Sequence, residues 1–319
     1  MSAPPDASPR PIIIDTDPGQ DDAIAILAAL AAPELAVLGI TAVAGNVPLE
    51  LTARNACILV ELAGRPEVPV FAGCDRPLRR DLVTAEHVHG KTGIDGAELP
   101  EPVTAPQPRH AVEWMTETVL AAGEREITIC PLGPMTNVAT MLEAAPEAAR
   151  NIREIVCMGG GFFGGGNTTP VAEFNVFVDP DAAQIVLHCG APVTMLPQDV
   201  THKALMTDAW INRVRGLGTR TGVAAAGMLE FYERYDVDKY GTTGGPLHDP
   251  NVIAYLLRPD LYEGRHCNVE VETDSPLTLG MTVVDWWGVT DRPSNCHYIT
   301  DVDSNGFYNL LYTLLARLP

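Results

Sequence analysis

Short runs of branched apolar residues alternate with stretches in which apolar residues recur every three or four positions, and this continues for about two hundred residues. The first run, Ile12 to Ile14, ends in a Pro-Gly turn and reads as a buried strand. Ala23 to Leu30 then has helical spacing and predicts a helix near 21–31. The same reading places strands at 35–43, 68–71, 126–132, 152–161 and 192–196, with helices near 49–64, 110–122, 135–145 and 180–188. Such alternation predicts an α/β fold: an open, mostly parallel sheet flanked by helices. The last third is more mixed, with helices over 220–235, 250–257 and 306–317 and strand-like runs at 269–272, 277–284 and 297–303. No break in composition and no repeat divides the chain. A single domain over 11–319 is expected, after a flexible N-terminal tail at 1–10. Segments 76–108 and 234–247 read as loops able to cover a site.

Composition narrows the function classes. Hydrophobic residues make up 46% of the 319 and charged residues 19%, as in a folded globular enzyme. No apolar run reaches the ~20 residues that span a bilayer. The start, MSAPPDASPR, lacks the apolar core of a secretory signal. A formal net charge of −20 disfavours nucleic acid and anionic membranes and fits a neutral small molecule better. Seven cysteines without a C-x-x-C pair point to reduced thiols in a cytoplasmic protein.

The chemistry concentrates where the first strand meets the first helix. DTDPGQDD places Asp15, Asp17, Asp21 and Asp22 at the carboxyl end of a strand and in the first turn of a helix. Ligands of open α/β sheets bind there. The helix dipole accounts for Asp21 and Asp22 but not for Asp15 and Asp17. Carboxylates this crowded call for a cation, and a hard divalent ion is the natural partner. Other polar groups lie just past predicted strands: Asn46 in AGN, the run PLGPMTN, Met158 in MGGG, Asn167, Glu173 and Asn175 around AEFN, and His248 and Asp249 in HDP. Amides and carboxylates converging on a metal suit a polyol held through its hydroxyls. Taken singly, Glu173, Asn175 and Asp249 also read as helix caps or starts. The glycines of GGGFFGGGN lack the lysine and spacing of a phosphate-binding loop, and His87 and His89 do not fit H-E-x-x-H.

In combination these motifs resemble the inosine–uridine nucleoside hydrolase family, calcium-using ribonucleoside N-glycosidases. The resemblance runs from Ile12 to the terminal helix. It is carried by DTDPGQDDAIA (15–25), AGN (44–46), HVHGKTG (87–93), LGPMTN (132–137), MGGG (158–161), AEFNVFVDPDAA (172–183), DVTHKA (199–204), LHDP (247–250) and GMTVVD (280–285). GIDGAELPEP (93–102) and PLHDP look most similar to pyrimidine-preferring bacterial members.

The resemblance implies Ca²⁺ held by Asp17, Asp22, the Leu132 carbonyl and Asp249, with the ribose 2′ and 3′ hydroxyls and a water completing the shell. Asp17 would take the water's proton as general base, and His248 would supply one to the leaving base. Asp21 and Asn46 would hold the 2′ hydroxyl, Asn175 the 3′, and Asn167 and Glu173 the 5′, with Met158 against the sugar. Asp15 would position the loop. His89, Tyr235 and Tyr240 are the candidates beside the base, and uridine or cytidine is the implied preference, with purine or broad specificity as the alternative. Lys91 departs from the pattern, since the family often has Glu there. Relatives are often dimers or tetramers, so a homo-oligomer is expected. Two rivals remain at this stage. IIIDTD also resembles the strand-D-x-D start of haloacid-dehalogenase-like phosphatases, with Asp15 as nucleophile. A nucleoside-binding protein without turnover would keep the same residues.

Overall fold

The computed structural model of the chain describes residues 8–241 and 244–319, apart from the side chains of Asp236 and Tyr240. The first half runs β1 (Arg10–Thr16), α1 (Gln20–Ala31), β2 (Leu35–Ala42), α2 (Leu49–Leu62), β3 (Val70–Ala72), α3 (Glu86–His89), α4 (Ala111–Ala121), β4 (Ile127–Pro131), α5 (Thr136–Ala144) and β5 (Ile152–Met158). Next come α6 (Phe174–Val178), α7 (Pro180–Leu187), β6 (Val193–Leu196), α8 (Gln198–Thr201), α9 (Asp208–Arg215), α10 (Arg220–Tyr240) and α11 (Pro250–Leu257). The chain closes with β7 (Tyr262–Val271), β8 (Thr282–Asp285), β9 (Cys296–Val302) and α12 (Ser304–Leu315).

Among the described residues the nine strands form one sheet in the order β3-β2-β1-β4-β5-β6-β9-β7-β8. From β3 to β9 every pair is parallel, and β7 and β8 add an antiparallel edge. Strand alternation splits the core. Ile12 and Ile14 face a cluster built with α1, α2, α10, α11 and α12, while Ile13 faces one built with α4, α5 and α7. Helix α1 is buried from Gln20 to Leu30, which suits its alanine-rich, all-round apolar sequence. The chain leaves β1 toward β2 on one side and returns to β4 on the other. The order therefore reverses between β1 and β4, where a crevice opens at the strand ends.

Several boundaries differ from the sequence reading. The helix expected over 220–235 continues to Tyr240, so the loop expected at 234–247 begins only at Gly241. Arg234, Asp238 and Lys239 are exposed on its last turns, and the left-handed Gly241 (φ 66°) ends it. The strand expected at 269–272 is the end of the longer β7, whose Glu263–His266 stretch is solvent-exposed and therefore polar. Of the run at 277–284 only its last residues lie in a strand. Helix α9 was not foreseen; Thr207 caps it by accepting from the Trp210 N–H. Arg10 belongs to β1, donating to Thr128 (2.8 Å) and pairing with Glu154. No described helix is long and apolar enough to cross a membrane.

Candidate active site

The carboxyl ends of β1, β4 and β5 open onto a cavity of about 240 Å³, a volume at the small end for small-molecule sites. Asp17 leaves β1 directly beneath it. Its carboxylate lies between two glycine backbones, and a Cβ on Gly45 or on Gly133 would collide with it. That close approach explains the glycines in AGN and LGP. Asp17 Oδ2 accepts from the Asn46 N–H at 2.7 Å, while Oδ1 is buried and has no hydrogen-bond partner.

Asp22 sits in the first turn of α1. It accepts from the Gly19 N–H (2.9 Å), from the Thr16 hydroxyl and from Asn46 Nδ2 (3.3 Å). Asp21, Asp22 and Asp249 bring carboxylate oxygens within 4.8 Å of one another, all buried. Burial first, then the charge of Asp22, pushes the Asp21 carboxyl up to about 8. Burial and neighbouring carboxylates likewise hold Asp17 and Asp249 well above the ordinary range. Packed carboxylates stay ionised only beside a positive charge. An all-oxygen donor set, an orphaned buried acceptor and a glycine cradle fit a hard divalent cation. The closest geometric trio contains Asp21, whereas the motif assigns Asp17. The unpartnered Oδ1 is the observation that keeps Asp17 in the donor set.

The remaining residues line the cavity walls. Asn175 Nδ2 donates to the Leu132 carbonyl at 2.7 Å and lies 3.4 Å from the Met158 carbonyl. Glu173 caps α6, accepting from the N–H groups of Asn175 (2.9 Å), Val176 (3.2 Å) and Gly160 (2.8 Å), and also lines the cavity. Its cap and cavity readings thus coexist. Asn167 accepts from the Phe174 N–H at 3.0 Å. His248 is buried with Nδ1 2.6 Å from the Thr201 hydroxyl; burial, then His202 and His89, hold it well below the ordinary histidine range. His89, also on the wall, stacks on Tyr232, with ring centroids 5.5 Å apart. Tyr235 stands at the rim, its hydroxyl accepting from Lys239 Nζ at 2.8 Å.

A model of the inosine–uridine preferring nucleoside hydrolase family matches residues 12–309. The chain belongs to that family. This nucleoside hydrolase is 50% identical over 97% of its length to the uncharacterized protein C1683.06c of Schizosaccharomyces pombe, covering 99% of that protein. It is 47% identical, over 97% of its length and 99% of the other, to the pyrimidine-specific ribonucleoside hydrolase RihA of Photobacterium profundum. Among solved structures, the purine-preferring ribonucleoside hydrolase from Gardnerella vaginalis superposes with a TM-score of 0.90 at 34% identity, over 96% of this chain and 98% of that one. The enzyme is an N-glycosyl hydrolase of ribonucleosides.

The phosphatase rival falls with that result, and the geometry gives the reason. Asp15 is not on the cavity wall. Its Oδ1 accepts from Thr41 (2.6 Å) and Asn137 (2.8 Å) inside the fold, tying β1 to β2 and α5, and burial pushes its carboxyl up to about 7. Of the residues assigned from sequence, those with described side chains line the hydrolase's cavity, except Asp17 and Asp22, which lie beneath it against Asn46. The Tyr240 side chain lies outside the described residues. Lys91 is exposed and away from the wall, which carries residues 83–85 and 87–89 of its loop. The sequence reading passed over Tyr232 and His202, both on the wall. Tyr232 lies three residues before Tyr235 on one helix, a spacing that places both on one face. His202 sits in DVTHKA without any signal separating it from a surface histidine.

Proposed function

We propose that the enzyme is a calcium-dependent ribonucleoside hydrolase that prefers uridine and cytidine and releases ribose and free base. The carrying observation is the buried aspartate cluster, with Asp17 Oδ1 unpartnered, on the floor of a cavity walled by hydroxyl-binding groups. In this reading Asp17, Asp22, Asp249 and the Leu132 carbonyl hold Ca²⁺. The bound ion supplies Lewis-acid polarisation of a water and orientation of vicinal hydroxyls.

The chain's own groups do the rest. Asp21 and Asn46 hold the 2′ hydroxyl, Asn175 the 3′, and Asn167 and Glu173 the 5′, with Met158 against the sugar. Rupture of the C1′–N bond builds oxocarbenium character, which surrounding carboxylates stabilise. Asp17 accepts a proton from the attacking water as its hydroxyl joins C1′. His248 delivers a proton to the departing nitrogen. Thr201 Oγ1 lies 2.6 Å from Nδ1 of His248; in this reading the hydroxyl donates there, and the proton for transfer stands on Nε2. His89 and Tyr235, with Tyr240 by its place in the sequence, border the base. Similarity to the Photobacterium relative supports the pyrimidine preference. The Gardnerella structure supports purine nucleosides as the second reading.

We also infer that the enzyme works in the cytoplasm as a homo-oligomer, a dimer or tetramer. Its seven unpaired cysteines accord with a reducing compartment. Ribose release from uridine, cytidine, inosine and adenosine, with and without a calcium chelator, tests the function. Chelator-sensitive release with uridine or cytidine ahead supports the proposal. Inosine or adenosine ahead replaces it with the purine reading, and no release from any of the four points to a modified nucleoside substrate or a binding protein.

A further inference from the structure

Gln20 is fully buried at the start of α1, between two aspartates of the metal-site motif, yet no step of the reaction uses it. Its amide spans to the loop that carries His89. Nε2 donates to the backbone carbonyls of His89 (2.9 Å) and Asp95 (3.1 Å). Both amide protons are thereby committed, which fixes the side-chain orientation and turns Oε1 toward His89 Nδ1 at 2.8 Å. An amide oxygen only accepts, so Nδ1 carries the hydrogen.

The ring has little freedom to escape this pairing. Its Nδ1 edge rests on Gly19, where a Cβ would collide with it, and Tyr232 stacks at an interplanar angle of 25°. Nε2 meets no donor or acceptor among the described residues, and His89 lines the cavity. We propose that Gln20 is a positioning residue that holds His89 as the Nδ1–H tautomer, so that Nε2 offers the substrate a hydrogen-bond acceptor. Its partner is an O–H or N–H of the bound nucleoside, and this last point rests on the nucleoside reading. His89 is then an orienting group, and proton delivery to the base belongs to His248, which lines the same cavity. Burial supports the neutral ring by pushing the imidazole down to about 3.

The test begins with ¹⁵N–¹H long-range correlation spectra of the intact wild-type protein, which report the tautomer without turnover. His89 is expected as Nδ1–H, and an Nε2–H pattern overturns the proposal. Gln20→Met, close in volume, should release the tautomer and raise KM for the best nucleoside about tenfold, one hydrogen bond's worth, with kcat changed less than about threefold. Where Gln20→Met folds poorly, the wild-type tautomer decides the proposal by itself. An unchanged tautomer in Gln20→Met removes Gln20 from the role. Failure of the nucleoside reading is distinct: wild type then shows the tautomer but releases no ribose.

Discussion

At the residue scale the site rests on one crowded carboxylate, Asp17, pressed against two glycine backbones. Asp17→Asn should abolish calcium binding in titration calorimetry and lower kcat by about 10²–10⁴-fold, the usual contribution of a general base; an unimpaired variant would remove Asp17 from both roles. Gly133→Ala tests the cradle. A methyl there meets the unpartnered oxygen of Asp17, so calcium affinity should fall at least as far as in Asp17→Asn while the far-UV spectrum stays native. His248→Ala separates leaving-group chemistry from binding. Its rate on uridine should fall about 10²–10⁴-fold, and its rate on p-nitrophenyl riboside, whose leaving group needs no proton, less than about tenfold. Equal losses on both substrates would take the acid role from His248.

At the scale of elements, three pieces hold the site in register. Strand β1 delivers Asp17, and α1 carries Asp21 on the cavity wall and Asp22 beneath it. Helix α5 braces β1 and β2 through Asn137, which donates to Asp15 Oδ1 and the Ala42 carbonyl (3.1 Å) and accepts from the Cys74 N–H at 2.8 Å. Asn137→Ala strands buried polar groups on β1 and β2. It should lower unfolding stability by about 2–4 kcal/mol, read as a fall in the urea midpoint at constant slope. A loss below about 0.5 kcal/mol would show that water replaces the amide at no cost. Helix α10 works differently. Its last turns bring Tyr232, Tyr235 and Lys239 over the cavity beside the 83–89 loop, so its continuation past residue 235 builds a wall that a loop would leave open.

For the whole molecule the consequence of the buried carboxylates is a coupling between metal and stability. A cation that binds only the folded chain adds about 2.7 kcal/mol at one hundred times its Kd. Calcium should therefore raise the melting temperature by about 5 °C over chelated enzyme, reversibly. A melting temperature indifferent to calcium, with turnover intact, would point to a different ion. The acidic residues behind the net charge of −20 are not all at the surface: Asp21, Asp22 and Asp249 lie buried in one cluster that could hold a cation.

Much of this was legible before any coordinates. The alternation of branched apolar runs with helical spacing specifies a parallel α/β sheet, because a strand buried on both faces and a helix covering it leave different periodicities. The aspartates of DTDPGQDD predict a gathering of carboxylates at the end of the first strand, and Asp21 and Asp22 do gather there with Asp249, buried. Other features depend on distance through space, which the one-dimensional pattern does not carry. Only the fold shows that Gly45 and Gly133, far apart in the chain, close on the same carboxylate. Only the fold brings Tyr232 onto His89, and Gln20 under it, across a separation of 69 residues. Composition misleads where a polar stretch is exposed on an ordered element, as in the first half of β7 and the last turn of α10, since solvent exposure looks the same in a loop, a strand edge or a helix face. Local propensity and charge are written in the sequence; which backbone atoms approach closely enough to exclude a methyl group or to hold a tautomer is decided by tertiary packing.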